Sequence, residues 1–148
     1  MKKLIAASVL AMGMMTTAAT ADVKVGLGFA AGSTAANEAP GVRVPIDFDF
    51  GLRLEPELGF KDNVFTMAFG AYYTVAKIEE VNLFAGGRFG YSSFNVGSGT
   101  SLQALVGAEY FVVPSKFSVA TQIGLEFIGG DQADNVGTTG AVIGHYFF

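Results

Sequence analysis

The chain has 148 residues, of which 51% are hydrophobic and only 15% are charged, and its formal net charge is −4. Its mean hydropathy of +0.44 is higher than that of an ordinary soluble domain. Beyond the first two dozen positions, no apolar run reaches the length of about 18 residues that a membrane helix needs, which excludes a helical bundle in the membrane. The absence of cysteine excludes disulfide bonds, cysteine-based zinc sites and thiol nucleophiles.

The first residues have the pattern of a secretory signal peptide. Lys2 and Lys3 are followed by an apolar run from Leu4 to Met15, which is too short to span a bilayer as an anchor. Small residues then lead to Ala19 and Ala21, which form an A-x-A cleavage pattern. We therefore expect residues 1–21 to be removed as a signal peptide and residues 22–148 to form one domain.

Removal of this segment makes the remaining chain more acidic. Loss of Lys2 and Lys3 leaves seven basic residues against 13 acidic ones, and the basic residues form no cluster. A nucleic-acid partner is therefore not expected, because such proteins present concentrated positive charge.

From Val23 to the end, apolar residues recur at every second position. Eight such rows occur in chain order, starting at Val23, Val42, Leu52, Phe65, Val81, Leu102, Phe117 and Gly140. Strict alternation is typical of β-strands, and helical spacing fits none of these segments. Pro56 interrupts the third row, which predicts an edge or a bulge at that position. The pattern predicts eight strands of about ten residues each.

Residues that favour turns separate the rows. At one end of the strands the predicted connections are residues 32–41, 61–63, 92–100 and 128–138, three of which are long. At the other end they are residues 49–51, 77–80 and 113–116, which are short. In a membrane barrel, the longer connections face outward and the short turns face the periplasm.

The second face of each strand distinguishes a membrane barrel from a soluble one. It is mainly Gly, Ala, Ser and Gln with one or two charges per strand, whereas a soluble barrel needs a strongly charged face towards water. Aromatic residues stand towards the ends of the apolar rows, as in the girdles of membrane barrels. The pattern therefore favours an all-β, eight-stranded antiparallel up-and-down transmembrane β-barrel. Its lumen is predicted to hold a paired charge network of Lys24, Arg43, Asp47, Arg53, Glu55, Glu57, Arg88, Glu109 and Glu126.

The last nine residues, from Gly140 to Phe148, resemble the C-terminal signature of bacterial outer-membrane barrels. Phe148 is terminal, Tyr146 stands two positions earlier, and apolar or small residues continue in that phase. Together with the signal peptide and the eight rows, the chain is similar to the small barrels of the OmpA/OmpX type. The chain has no segment that matches the peptidoglycan-binding domain of full-length OmpA, so the resemblance does not imply a role in wall anchoring.

The resemblance implies an integral outer-membrane location after export through the periplasm. It also implies partners: outer-membrane lipid and lipopolysaccharide around the barrel, and periplasmic chaperones and the barrel-assembly machinery, which would recognise Tyr146 and Phe148. We expect a monomer without cofactor or metal, and the small polar loops do not specify a surface ligand.

Three functions remain as alternatives. The leading hypothesis is a non-enzymatic role in envelope structure or surface interaction. A narrow pore is the second, because the interior Arg and Glu residues would also suit a channel filter. A lipid A-modifying enzyme is the third and weakest, because His145 has Ile143 and Phe147, and no serine, two positions away. We expect His145 on the lumen face near the periplasmic mouth, as a hydrogen-bonded plug residue.

Overall fold

The structure is a computed structural model that describes residues 23–33, 41–61, 63–94, 97–130 and 135–148. The predicted signal peptide, with Ala19 and Ala21, lies outside these residues. In the described part of the chain every regular element is a β-strand. No helix among those residues is long and apolar enough to cross a membrane.

The strands follow one another with antiparallel pairing between neighbours. They are β1 Val23–Ser33, β2 Gly41–Arg43, β3 Ile46–Phe48, β4 Leu52–Lys61, β5 Val64–Ile78, β6 Val81–Phe94, β7 Gly97–Val113, β8 Phe117–Gly130 and β9 Asn135–Phe147. β2 and β3 both pair with β1 on one side and β4 on the other, so together they form one strand of the sheet. β1 also pairs with β9 from Gly26↔Phe147 to Ser33↔Gly140, which closes the sheet. The architecture is the predicted eight-stranded antiparallel barrel.

The second strand of the barrel is split where Pro45 falls. Proline cannot donate a ladder hydrogen bond, and here its carbonyl instead accepts from the Gly26 amide at 3.0 Å. Pro56, in β4, lies opposite this interruption, where its carbonyl accepts from the Val44 amide at 2.9 Å. The irregularity expected at Pro56 therefore lies in its neighbour strand, and the barrel closes without an edge.

The long connections predicted at residues 92–100 and 128–138 are wrong. Ser92 pairs with Gly99 and Phe94 with Gly97, so β6 and β7 continue almost to their connection. Likewise Ile128 pairs with Asn135, so β8 and β9 also continue almost to their connection. Glycine and serine favour turns on average, but a ladder is made by backbone groups and accepts them once neighbouring residues fix the register.

The strands are consequently longer than the ten residues expected. β5 to β9 contain between 13 and 17 residues each. The short turns at the opposite end agree with prediction: Asp49-Phe50-Gly51 joins β3 to β4, and Glu79-Glu80 joins β5 to β6. Gly51 has a φ of 92°, a left-handed conformation for which glycine is suited.

The two faces of the wall differ as the alternation predicts. The outer face exposes large apolar side chains, for example Phe29 at 64%, Phe60 at 59% and Ile123 at 67%. The inner face buries polar and charged ones, including Arg43, Glu57, Arg88 and Glu109. This is the reverse of a soluble protein, in which exposed large apolar patches are confined to interaction sites.

Candidate functional site

The lumen has one wall that carries most of the charge. β2, β3 and β4 turn every second side chain inward, which brings five charged residues to this wall: Arg43, Asp47, Arg53, Glu55 and Glu57. We call these five residues the charged wall. Their partners from the rest of the barrel are Arg88 on β6, Glu109 on β7 and His145 on β9.

The upper part of the charged wall, which lies further from the short turns, contains two arginines and two glutamates. Arg43 Nη1 lies 2.9 Å from Glu55 Oε1, and its Nε lies 3.1 Å from Glu57 Oε2. Arg88 Nη2 reaches the same Glu57 oxygen at 2.9 Å from the other side of the lumen. All four side chains are at least 95% buried, so each charge depends on its partners and not on water.

In the lower part of the charged wall, which lies nearer the short turns, Arg53 binds two carboxylates. Its Nη2 donates to Asp47 Oδ2 at 2.8 Å and also lies 2.8 Å from Glu109 Oε2 across the lumen. The guanidinium stands 5.6 Å from the ring centroid of Phe147, within the range of a cation–π contact. A planar guanidinium can serve two carboxylates and a ring at once because its donors point outward in one plane.

His145 connects the lower and upper parts. Its Nδ1 lies 3.1 Å from Glu109 Oε1, and its Nε2 lies 3.3 Å from Glu55 Oε2. The Ser118 hydroxyl also donates to Glu109 Oε1, at 2.5 Å. Alternation alone places His145 on the lumen face, as expected, but two carboxylates from distant strands cannot be deduced from a single histidine in the sequence.

Glu126 belongs to a separate polar group nearer the end of the barrel opposite the short turns. Its Oε1 accepts from Gln103 Nε2 at 2.7 Å, and on β5 and β6 the Thr66 and Ser92 hydroxyls are 3.1 Å apart. These side chains are fully buried or nearly so. Small polar residues therefore fill this part of the lumen, as the sequence composition of the inner face predicts.

An apolar cluster lies among the inward-facing side chains of β5 to β9. Tyr72, Phe84, Leu105, Ala120 and Ile143 pack together, with the rings of Tyr72 and Phe84 edge to face at 5.6 Å. We call this set the apolar wall. The Tyr72 hydroxyl is buried and has no hydrogen-bond partner among the described residues. Sequence analysis did not identify this cluster, since its members stand at polar-face positions of five different strands.

A cavity of about 480 Å³ opens at the end of the barrel that holds the short turns. We call it the vestibule. Arg53, Asp47 and Phe147 line its inner end, and Lys24 lies at its rim. Lys24 is exposed and its Nζ lies 3.3 Å from Ser115 Oγ, so the structure does not bring Lys24 into the buried charge cluster with which the sequence grouped it. Its position near the strand end leaves it in reach of water.

Tyr146 and Phe148 lie on the outer face. They are 50% and 70% exposed, and their rings meet at 5.8 Å in an edge-on arrangement. Phe147 between them turns inward and is almost completely buried. The terminal pair is thus presented on the surface of the barrel, while the ring between them lies in the lumen beside the vestibule.

Two kinds of functional cluster can be compared with the side chains of the described residues: a hydrolase triad and a metal site. In a serine hydrolase the serine hydroxyl is hydrogen-bonded to the imidazole. Here the Ser118 hydroxyl donates to Glu109 instead, and His145 contacts the same carboxylate oxygen. Within the described ranges, no group of three His, Asp or Glu residues is placed to hold a metal ion. What the site does is bind its own charges together across the lumen.

The fold and the lumen together place this chain in one structural class. It is a closed, eight-stranded up-and-down barrel with a packed polar interior and an apolar exterior. No family model and no curated protein matches the sequence.

Two solved structures share the fold over most of their length. One is the crystal structure of neisserial surface protein A (NspA), which is 17% identical with a TM-score of 0.53, over 84% of this chain and 94% of that chain. Another is the solution NMR structure of the de novo designed protein TMB2.3, which is 14% identical with a TM-score of 0.52, over 85% of this chain and 93% of that chain. At these identities the likeness establishes the fold alone.

Proposed function

We propose that this protein is an integral barrel of the bacterial outer membrane with a non-enzymatic role in envelope structure or surface interaction. The observation that carries the proposal is the inversion of the wall: large apolar side chains outside, buried ion pairs inside. A closed barrel leaves no unpaired strand edge, which lipid requires because it cannot satisfy backbone hydrogen bonds.

The dimensions of the barrel support a membrane location. The five strands from β5 to β9 have 13 to 17 residues, and at about 3.3 Å per residue and a tilt of about 45° they span about 30 to 40 Å. An outer-membrane barrel needs an apolar band of about 25 Å. Phe60 and Phe65 lie 5.0 Å apart at the outward end of β4 and β5, as expected of an interfacial aromatic girdle.

The buried position of the only histidine supports a non-enzymatic role. A lipid-modifying barrel of the kind considered above would need its histidine and serine on the lipid-facing surface. Here His145 and Ser118 point into the lumen and are no more than 1% exposed. An acyl chain in the membrane has no access to them.

The proposed partners follow from the same surfaces. Outer-membrane lipid and lipopolysaccharide would surround the apolar outer face. Tyr146 and Phe148, exposed on that face, are accessible to periplasmic chaperones and to the barrel-assembly machinery during export. Residues 1–21 would be removed before assembly, which the mass of the purified mature protein tests directly.

Cell fractionation tests the location. We expect the protein in outer-membrane fractions, with an electrophoretic mobility that changes when the sample is boiled, because a closed barrel resists SDS until it is heated. Recovery as a soluble periplasmic species would overturn the proposal.

Deletion of Phe148 tests the role of the C-terminal residues. We expect membrane assembly to fall several-fold while export to the periplasm is unchanged. Deletion of Phe147 is not a suitable control because that ring is buried in the lumen; Val136→Ala, also on the outer face of β9, is the matched one. Equal loss of export and assembly would contradict a role in recognition.

A narrow pore is the second candidate, and the vestibule is the observation that favours it. This cavity brings solvent to Arg53 and Asp47 from one end of the barrel. Conductance in planar bilayers distinguishes the two functions. We expect a silent barrel, since ion pairs and Phe147 fill the lumen beyond the vestibule; a steady conductance altered by Arg88→Ala or Glu109→Ala would favour the pore.

A further inference from the structure

His145 is the only imidazole in the chain, and each of its ring nitrogens faces a carboxylate. Nδ1 lies within hydrogen-bond distance of Glu109 on β7, at 3.1 Å, whereas Nε2 lies at an ion-pair distance of 3.3 Å from Glu55 on β4 without hydrogen-bond geometry. The ring itself belongs to β9, and register places β8 between β9 and β7. His145 therefore joins three strands, one of them across the lumen.

The chemistry of imidazole determines what such a position requires. A neutral ring has one N–H donor and one lone pair, whereas both nitrogens of an imidazolium are donors. An ionised carboxylate only accepts. A neutral ring would therefore set a lone pair against one of the two carboxylates, and only the imidazolium satisfies both.

The charge around the ring favours the same state. Five carboxylates are placed in the lumen by the described strands, Asp47, Glu55, Glu57, Glu109 and Glu126, against three arginines, Arg43, Arg53 and Arg88. Protonation of the histidine supplies a fourth cation.

The neighbouring strands supply few groups that oppose this proton. β4 brings Glu55 and also Arg53, and β2 brings Arg43; each of these two guanidiniums shares a carboxylate with the ring, and both disfavour its proton. β7 brings Glu109. β8 brings Ser118, and β1 brings Gly28, whose position is next to the imidazole; neither carries a charge.

We propose that His145 is a proton-binding clasp of the lumen: an imidazolium that ties Glu109 to Glu55 and releases them when the proton is lost. The full set of contacts is present while the ring is charged. As the pH rises and the ring loses its proton, it no longer pairs its charge with either carboxylate and can donate to only one of them, which weakens the connection of β9 to β4 and β7. The folded barrel is then expected to be less stable in mildly alkaline than in mildly acidic solution.

The single histidine makes the test direct. Protein labelled with ¹⁵N only at histidine, folded in detergent micelles without a histidine tag, gives imidazole signals from His145 alone. At about pH 7.5, where an ordinary histidine with a pKa near 6.5 is mostly neutral, we expect the two nitrogen shifts of an imidazolium. The shifts of a neutral tautomer at that pH would overturn the proposal.

Matched carboxylate variants separate the clasp from a general effect of lumen charge. Glu109→Gln and Glu55→Gln each remove one facing carboxylate, and we expect most of the ring population to become neutral at about pH 7.5 in both. Glu126→Gln makes the same change about eight residues further along the barrel, opposite Gly137, and should leave the imidazolium signal in place. An imidazolium that persists in the Glu109 and Glu55 variants would contradict the proposal.

Stability provides the second readout. Between about pH 6 and pH 8.5, on either side of ordinary histidine titration, we expect the temperature at which the folded band is lost on gels to fall for the native chain. His145→Gln retains one donor and has no proton to lose, so its transition should not change over that range. A native transition that is independent of pH would refute the clasp even if every variant folds.

Discussion

The two walls of the lumen are built on different principles. The charged wall, from Arg43 to Glu57, is a short stretch of chain that contains the split strand and both of the prolines discussed above. The apolar wall is collected from one residue on each of five long strands. Buried charges need specific partners, and in the charged wall these include charges close in sequence. Apolar side chains need only close packing, so they can come from any strand of the barrel. The comparison predicts different costs for damage on each side.

The largest effect is expected at Glu57, whose Oε2 is shared by Arg43 and Arg88. Glu57→Ala leaves two buried guanidiniums facing each other without the carboxylate between them. We expect a loss of about 3–5 kcal/mol in the free energy of unfolding, measured by urea titration of the barrel folded into lipid vesicles. Glu80→Ala, in an exposed turn, is the control and should cost less than about 0.5 kcal/mol. A loss below about 1 kcal/mol at Glu57 would show that the charged wall is solvated.

A smaller effect is expected on the apolar wall. Leu105 is 3% exposed, and Leu105→Ala leaves a cavity in the apolar wall that rigid neighbours cannot fill. We expect a loss of about 2–4 kcal/mol in the same assay. Leu102→Ala, on the outer face of the same strand, is the comparison: fluid lipid takes the vacated space, so its cost should be clearly lower. Equal losses would mean that the apolar wall is loosely packed.

Gly28 tests how closely the charged side of the lumen is packed, because the absence of a side chain there makes room for His145. A Cβ atom at this position would lie 2.6 Å from His145 Cδ2, too close for an ordinary contact. Gly28→Ala should therefore displace the ring and cost about 1–3 kcal/mol. At Gly144, on the outer face of β9, a Cβ would meet nothing nearer than Phe117 Cε2 at 3.9 Å. Gly144→Ala should fold with unchanged stability, and a greater loss there than at Gly28 would contradict the crowding.

The smallest effect concerns a turn that belongs to neither wall. Glu79 has a φ of 54°, which costs an L-residue about 1–2 kcal/mol and which asparagine tolerates better. Glu79→Asn should raise the free energy of unfolding by roughly 0.5 kcal/mol. Glu80→Asn is the control, because Glu80 is not among the residues with positive φ. A destabilised Glu79→Asn would show that the carboxylate itself holds the turn.

Much of the wall was predictable from local pattern. A period of two assigns each residue from Val23 onward to one face, and both the exposed Phe29 and the buried Arg43 follow it. Strand ends were less predictable, because Ser92 and Gly99 are turn formers that pair in the ladder here. Propensity is a local average, whereas the length of a ladder is decided by the partner strand.

For the lumen, the sequence supplied candidates without their partners. It placed Arg53, Glu109 and His145 on one face, but it grouped Lys24 with the buried charges, although its side chain contacts Ser115 near the rim. Alternation contains no information about depth, so a residue at a strand end and one at the middle look alike.

By itself the sequence determined the kind of wall: eight strands, apolar outside and polar within, because strand geometry sends neighbouring side chains to opposite faces. Only the tertiary structure decided which charges meet. Closure of β1 on β9 and the stagger between strands bring Glu55, Glu109 and His145 together from distant parts of the chain. That juxtaposition depends on the register of every strand in the closed barrel, which no single segment specifies.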